Sequence, residues 1–300
     1  MPEPNTNVGA MTVRKAGGLS RGVRVLRNLG IIIPLVVITL LVLTAIFAPL
    51  LAPHNPTENN MLARRLPPAF MTGGSADHLL GTDKLGRDNL SRLIYGGRVS
   101  LSVSLLAIAI TASIGTFLGI TAGYLGGRID GFIMRVTDMA LSFPALLLAM
   151  LLQIGIGPGF FTVVVALSIL GWAGYARLIR GEALKLRNSD FVAQARIIGA
   201  SPLRIMFRHI FPNVINSLLV IMTLQVGMMI LMESALSYLG IGIPAPTPSW
   251  GSMVADGRGD LDSAWWISLF PGIAIGLVVL SGNFVGDWLR DKLDPRLRQL

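Results

Sequence analysis

Two carboxylates stand out in this sequence because they lie inside long apolar runs. Glu233 lies late in one run with no basic residue near it in sequence, and Asp138 lies early in another, one turn after Arg135. Because a charge at membrane depth is costly, such a residue usually lines a polar pathway or bonds another polar group. Glu233 fits either role, whether it lines a pathway or bonds the backbone of an outer loop, whereas we expect an ion pair between Asp138 and Arg135. Met228 is a further candidate for the pathway or its gate.

The remaining side chains do not indicate enzyme chemistry. His54, His78 and His209 are scattered, and the sequence has no Cys to ligate a metal or act as a nucleophile. The patterns H-E-x-x-H, G-x-S-x-G and G-x-x-x-x-G-K-S/T are absent as well. We therefore expect no catalytic residue, no metal site and no cofactor in this chain, and no means of hydrolysing a nucleotide.

Residues 177–213 combine positive charge with helical periodicity. The segment carries seven of the 25 Lys and Arg residues. Its apolar positions at helical spacing are Phe191, Ala195, Ile198, Leu203, Met206, Phe207 and Ile210. Between the two halves, Gly199 favours a left-handed turn and Pro202 suits the first turn of a new helix. The pattern predicts a helix, a tight turn and a second helix that dock on another protein; a basic loop without a partner is the alternative interpretation.

The composition is that of a polytopic membrane protein. Of 300 residues, 52% are hydrophobic and 14% are charged, which is too apolar for a soluble domain of this size. The formal charge of +9 does not indicate a nucleic-acid partner, because the basic residues cluster beside the ends of apolar runs.

Six apolar segments are long enough to cross a bilayer core. They are residues 30–52, 98–128, 132–153, 160–176, 214–239 and 264–285. The sequence thus predicts an all-α polytopic membrane protein with six transmembrane helices. Gly115, Gly119 and Gly123 follow one another at four-residue spacing, which predicts close packing of the second helix on a neighbour. In the sixth segment, Gly272 and Gly276, and then Gly282 and Gly286, also lie at helical spacing.

The chain divides into five parts. These are a cytoplasmic tail (1–29), the first transmembrane helix (30–52), an extracytoplasmic connection with an amphipathic helix capped by Asp88 (53–97), a core with five transmembrane helices and the basic segment 177–213 (98–288), and a cytoplasmic tail (289–300). If both termini are cytoplasmic, the inner segments hold 18 Lys and Arg residues and the outer segments seven. The positive-inside bias therefore favours that orientation.

Four ordered motifs resemble those of the permease subunits of bacterial ATP-binding-cassette (ABC) importers for peptides and nickel, and in particular the C-type subunit of dipeptide and oligopeptide systems. The family loop has E-A-A, three residues, Gly, nine residues and I-x-L-P, which places its Gly at Gly199, its Pro at Pro212 and Ala193 where the family has Glu. The segments 138–144 and 233–240 are similar to two further family signatures. The outer motifs are carried by Gly81, Asp83, Gly86, Arg87, Asp88, Pro248, Trp250 and Gly251.

This resemblance implies a type I ABC importer permease fold in the bacterial cytoplasmic (inner) membrane. The expected partners are a homologous second permease, two ATP-binding subunits that hold ATP and Mg²⁺, an extracytoplasmic substrate-binding protein and the lipid bilayer. The expected cargo is a dipeptide or oligopeptide, or a related small solute such as haem or a nickel chelate. The alternative function is a stand-alone secondary transporter or channel.

The resemblance also assigns the contact with one ATPase to residues 190–212. The candidate contact residues are Phe191, Ala193, Ala195, Arg196, Ile198, Gly199, Ala200, Ser201, Pro202, Leu203 and Arg204. Because Ala193 carries no charge, we expect the apolar members to provide most of the coupling, with small-residue packing around Ala195 and Gly199. Arg196 and Arg204 would orient the contact.

Overall fold

A computed structural model describes residues 21–293, which form helices joined by irregular connections and one isolated antiparallel bridge between Thr82 and Asp88. The helices are α1 (Arg21–Ile46), α2 (Ala48–Leu51), α3 (Asn89–Leu125), α4 (Gly127–Ser142), α5 (Ala145–Ile156), α6 (Phe160–Arg187), α7 (Asp190–Ile197), α8 (Pro202–Ile205), α9 (Phe211–Tyr238), α10 (Trp250–Gly257), α11 (Leu261–Ala264) and α12 (Trp266–Leu293), with a 3-10 helix at Met61–Ala63 and a π-helical turn at Met206–Ile210. For the described part of the chain, the all-α prediction is confirmed.

Four helical stretches are long and apolar enough to cross a membrane. They are Asn89–Leu125, Phe160–Arg187, Trp266–Leu293 and Pro202–Tyr238, the last of which joins α8, the π-helical turn and α9. The pair α4 and α5 makes a fifth candidate span, bent by 87°. The apolar part of α1, Gly30–Ile46, is shorter. By length and apolarity alone, the structure thus provides four or five spans where the sequence predicts six.

Helix α3 packs most extensively on α6, along its stripe of glycines. A Cβ atom on Gly119 would lie 2.7 Å from the carbonyl oxygen of Ala176, and one on Gly123 would lie 2.7 Å from the Cβ of Ala183. A larger residue at either position would push the two helices apart. The close packing predicted from the four-residue spacing is therefore confirmed.

The glycines of α12 differ among themselves. A Cβ atom on Gly286 would lie 2.6 Å from the side chain of Leu224, so this end of α12 packs closely on α9. A Cβ atom on Gly272 or Gly276 would meet nothing within 4 Å in the described structure. The close approach of α12 to α9 is therefore at Gly286, whereas Gly272 and Gly276 have no close neighbour in the described structure.

Helix α3 begins earlier than the sequence predicts. The Asp88 carboxylate caps the helix by accepting the N–H of Ser91 at 2.8 Å, and α3 then continues without a break to Leu125. The amphipathic helix and the second transmembrane helix are therefore one element, which begins at Asn89 rather than at residue 98. The polar first turns of α3, including Ser91 and Arg92, are buried and pack against the rest of the described chain.

The predicted third helix, residues 132–153, is broken in the structure. Phe143 is extended (φ −80°, ψ 135°) between α4 and α5, and Pro144 follows it. Proline lacks an N–H and disfavours a helical conformation in the preceding residue, so the chain bends here.

Two predicted helices extend further toward the basic segment than expected. Helix α6 continues to Arg187 rather than ending near residue 176, so the first basic residues of the segment belong to it. Helix α9 continues backward through the π-helical turn, where the N–H of Phe211 donates to the carbonyl of Met206, five residues earlier. This wider turn directly precedes Pro212, which has no N–H to donate.

Candidate functional site

The segment between α6 and α9 contains a left-handed turn. Gly199 has φ +82°, and the N–H groups of Gly199 and Ala200 donate to the carbonyls of Arg196 and Ala195, each at 3.0 Å. Paired bonds of this kind close the end of a helix when its following residue adopts the left-handed conformation, which glycine does at least cost.

A second helical element follows this turn at once. Pro202 is the first residue of α8, and the Ser201 side chain accepts the N–H of Arg204 at 3.4 Å. The helix, tight turn and second helix predicted from Gly199 and Pro202 are therefore confirmed. The second helix is continuous with α9, which joins the segment rigidly to a candidate span.

One face of α7 is part of the protein's own core. Val192 and Ala195, three residues apart, are buried and pack in a cluster with Tyr124 of α3 and Ile179 of α6. We expected Ala195 to contribute to a contact with another protein. The structure corrects this, because only 2% of Ala195 is exposed.

The opposite side of the segment is apolar and exposed. Ile197 is 84% exposed, Ile198 82% and Leu203 64%. These three residues, which flank the turn at Gly199, are called the coupling patch below. Phe191 at the start of α7 is 38% exposed, which is less than any residue of the coupling patch. The sequence-based candidates do not include Ile197. Its position next to Ile198, in an otherwise polar helix end, could have identified it.

The charged candidates of the segment behave differently from each other. The Arg196 guanidinium lies over the ring of Tyr124, with 5.2 Å between its Cζ and the ring centroid, and donates to the carbonyl of Arg187 at 3.4 Å. Arg196 is therefore held against its own chain. Arg204 and Ala193 are exposed beside the coupling patch.

Asp138 does not pair with Arg135 as the sequence predicts. Its carboxylate accepts from the Arg177 guanidinium of α6 at 2.5 Å, and both side chains are more than half exposed. A second α4 carboxylate, Asp130, binds Arg180 through two hydrogen bonds of 2.5 and 2.6 Å. Two acidic residues of α4 thus bind two basic residues of α6, so Asp138 has a structural partner 39 positions away.

Glu233 lies in a sealed polar cluster. It is 0% exposed, and its two carboxylate oxygens accept hydrogen bonds from the hydroxyls of Ser100 and Ser237, each at 2.8 Å. The Ser100 hydroxyl in turn accepts the backbone N–H of Trp250 at 3.2 Å. Of the two roles left open for Glu233, the structure favours the bond to the outer connection, made through Ser100 rather than directly.

Trp250 fixes the connection after α9 onto α3. Its indole N–H donates to the carbonyl of Leu93 at 2.9 Å, and its ring covers Gly97, where a Cβ atom would lie 2.8 Å from the ring. Pro248 is buried beside it, and Gly251 packs against the backbone of Ser234. The second outer motif therefore joins α3, α9 and α10.

The first outer motif forms a buried ion network. Asp83 accepts from Arg87 at 2.6 Å and from Arg92 at 2.7 Å, and the two guanidiniums reach Asp256 of α10 at 3.3 and 2.9 Å. Gly81 and Gly86 lie at positive φ on either side of Asp83. The network ties the connection before α3 to the connection after α9.

The candidate pathway residues do not come together. Glu233 is enclosed, Asp138 lies on α4, and Met228 is 55% exposed on a face of α9 other than that of Glu233. The histidines also differ from expectation. His54 and His78, which look scattered in the sequence, both lie against Asp88.

Comparison with known families agrees with these features. Residues 115–299 match the family described as binding-protein-dependent transport system inner membrane component, and residues 23–68 match the N-terminal transmembrane domain of oligopeptide transport permease C. The chain belongs to this family of inner-membrane permeases of ABC transporters.

Relatives of known name are similar along most of their length. The di/tripeptide transport system permease protein DppC of Pseudomonas aeruginosa is 42% identical over 271 residues, which covers 90% of this chain and 89% of that protein. The oligopeptide transport system permease protein OppC of Bacillus subtilis is 41% identical over 265 residues, which covers 88% of this chain and 85% of that protein. A solved structure of the MetNI methionine ABC transporter, inward facing, has a similar fold, with a TM-score of 0.57, 15% identity and coverage of 68% of this chain and 96% of that chain.

Proposed function

We propose that this permease forms one half of the membrane pathway of an ATP-driven importer for dipeptides or oligopeptides. A homologous second permease forms the other half, two ATPases that bind ATP and Mg²⁺ dock in the cytoplasm, and a substrate-binding protein delivers the cargo from outside. Two kinds of observation support this: relatives named for dipeptide and oligopeptide transport, and the exposed apolar patch at the turn between α7 and α8.

The proposed topology has six spans with both termini in the cytoplasm. The bent pair α4 and α5 serves as one span, and α1, which is continuous from Arg21, serves as another although its apolar part is short. The distribution of Lys and Arg, 18 on the inner side against seven on the outer side, supports the orientation. This topology places the coupling patch in the cytoplasm and the two outer motifs on the opposite side.

Burial of the coupling patch against an ATPase can contribute enough free energy to couple the two proteins. Shifting a two-state population from 1:99 to 99:1 requires about 5.5 kcal/mol of differential binding. Full burial of an Ile or Leu side chain contributes about 1.5–3 kcal/mol, so the three residues of the patch reach this range. One exposed salt bridge contributes up to about 1 kcal/mol. We therefore assign the coupling mainly to Ile197, Ile198 and Leu203, with Arg204 as an orienting charge.

The rigid connection behind the patch carries its movement into the membrane. On one side the patch continues through α8 into α9, and on the other side α7 packs on α3 and α6 through Val192 and Ala195. Because α8 and α9 also pack in this cluster through Ile205 and Val214, we expect a displacement of the patch to shift the contacts of α9 with α3 and α6. Met228, exposed on α9, is the pathway residue we propose, whereas Glu233 holds the outer end of α9 closed against α3.

A stand-alone carrier is the second candidate function, and purification separates the two. We expect the tagged chain, extracted from native membranes in a mild detergent, to bring down a second permease of similar size and ATPase subunits. The complex in liposomes should take up labelled dipeptide only when ATP is enclosed in the liposomes and the binding protein is present outside them. Isolation of the chain alone, with uptake intact and independent of ATP, would instead support a carrier.

A further inference from the structure

Two histidines and one aspartate from distant parts of the chain meet at the outer end of α3. His54 follows α2, His78 lies in the connection before α3, and Asp88 caps α3. Each offers one ligand atom, and these atoms all lie within 4.8 Å of one another. The Nδ1 of His78 is 3.0 Å from one oxygen of Asp88, and the Nδ1 of His54 is 3.9 Å from the other.

Neighbouring hydrogen bonds hold the Asp88 carboxylate and the backbone of His54 in place. The Oδ2 of Asp88 accepts both the N–H and the hydroxyl of Ser91, at 2.8 and 2.7 Å. The backbone N–H of His54 donates to the same Ser91 hydroxyl at 3.0 Å. Ligands of protein metal sites are usually fixed in this way by surrounding hydrogen bonds. Ser91 thus positions the carboxylate of one candidate ligand and the backbone that carries a second.

A simple hydrogen bond explains only part of this arrangement. The contact between His78 and Asp88 needs no metal. The Nδ1 of His54, however, faces the same carboxylate at a distance too long for a hydrogen bond, and its ring centroid lies 4.9 Å from that of His78. Two imidazole nitrogens therefore converge on one carboxylate, and the three candidate ligand atoms lie within 4.8 Å of one another.

We propose that His54, His78 and Asp88 bind a divalent transition metal ion, of which Zn²⁺ fits the donor set best. Two imidazole nitrogens and a carboxylate oxygen, with a fourth position open to water, are a common zinc arrangement. Bond lengths of about 2.0–2.2 Å require the three side chains to draw closer than they lie here. The His54 side chain can move, since it is 41% exposed.

The ion joins three parts of the chain that are otherwise connected by irregular structure. It fixes the segment after α2 and the connection at His78 to the first turn of α3, beside the ion network of Asp83. This site is independent of the transport function proposed above. It also replaces the expectation, drawn from scattered histidines and missing cysteine, that the chain holds no metal.

Zinc binding by the full-length chain tests the proposal. The chain is purified in detergent with a tag that contains no histidine, stripped with a chelator and dialysed, and its binding of Zn²⁺ alone is measured by titration calorimetry and by elemental analysis. We expect one Zn²⁺ per chain and at least a tenfold loss of affinity in His54→Ala. His209→Ala, which alters the histidine of the π-helical turn, should bind like the wild type.

Thermal unfolding of the same samples separates metal binding from misfolding. Because the His54 side chain is 41% exposed and only its backbone N–H is bonded to Ser91, His54→Ala should unfold close to the wild-type temperature without metal. Zn²⁺ should raise the Tm of the wild type and of His209→Ala but not that of His54→Ala. His78→Gln should also lose the Zn²⁺-dependent rise. No bound zinc in the wild type at tens of micromolar Zn²⁺, or equal affinity in wild type and His54→Ala, would overturn the proposal.

Discussion

Replacing Ile197 and Ile198 together by Asp is expected to lower ATP-driven uptake by at least about tenfold in complexes that still assemble in the membrane. Both side chains are more than 80% exposed, so the change leaves the core of this chain intact. It removes two apolar surfaces whose burial against an ATPase would contribute about 1.5–3 kcal/mol each. A tenfold effect corresponds to about 1.4 kcal/mol, which is less than the burial of even one of these side chains would contribute.

Two matched variants locate the effect of this change. Val192→Asp introduces the same charge on the buried face of α7, and we expect it to lower the amount of folded chain. Lys185→Ala removes an exposed charge of the same basic segment, whose partner Glu182 is also at the surface, and should leave uptake unchanged. Uptake within twofold of wild type in the assembled Ile197→Asp, Ile198→Asp variant would contradict the role of the coupling patch.

Glu233→Ala is expected to destabilise the chain, whereas Glu233→Gln is expected to be close to wild type. The Ala variant removes the acceptor of two buried hydroxyls, Ser100 and Ser237. A buried polar group left without a partner costs about 1–3 kcal/mol, and a cavity adds to this cost. The Gln variant keeps the shape and retains an oxygen acceptor. Its amide can donate to one of the hydroxyls, which rotate to accept.

The pair of variants also separates the proposed function from its alternative. Thermal unfolding in detergent should show a lower Tm for Glu233→Ala and little change for Glu233→Gln, and uptake by the Gln variant should remain within a few-fold of wild type. In a proton-driven carrier that uses Glu233, the Gln variant would lose transport completely while it remains folded. That outcome would exclude the structural role of Glu233 in holding α9 against α3.

Local sequence signals predict several parts of this fold. The turn at Gly199 and Pro202 follows from the conformational preferences of two residues, and the contact of α3 with α6 follows from three glycines at regular spacing. The sequence also predicts the capping role of Asp88, although its helix continues far beyond the expected length. In each case the residues that give the signal lie within a few positions of one another.

The faces of α7 could not be assigned from the sequence. This helix has eight residues and apolar side chains on both sides, so about two turns of periodicity do not tell which side faces the protein's own core. Phe191, Ala195 and Ile198 form one face by spacing, yet only Ala195 is buried, together with Val192. The choice depends on packing against α3 and α6, which are distant in sequence.

The partners of isolated polar residues also depend on distant contacts. Asp138 bonds Arg177, 39 positions later, rather than its neighbour Arg135, because α4 lies along α6. His54 and His78 lie close to Asp88 because of the path of an irregular connection. This connection has no helical or strand periodicity, so the sequence does not predict that the three side chains are close together. Sequence patterns reveal the periodic elements, and the sites arise where these elements and the connections meet.

Site-directed cross-linking measures the contact of the coupling patch directly, because the chain contains no cysteine. Ile198→Cys provides a single thiol in this chain at a position that is 82% exposed. The control, Phe161→Cys, provides a thiol at a position that is 79% exposed, at the start of α6 and far from the coupling patch. Each is treated with a short thiol-to-amine reagent in the assembled complex, and adducts are identified by mass spectrometry. The proposed role predicts an adduct between an ATPase and Ile198→Cys and none with Phe161→Cys. Absence of that adduct in a complex from which ATPases copurify would contradict it.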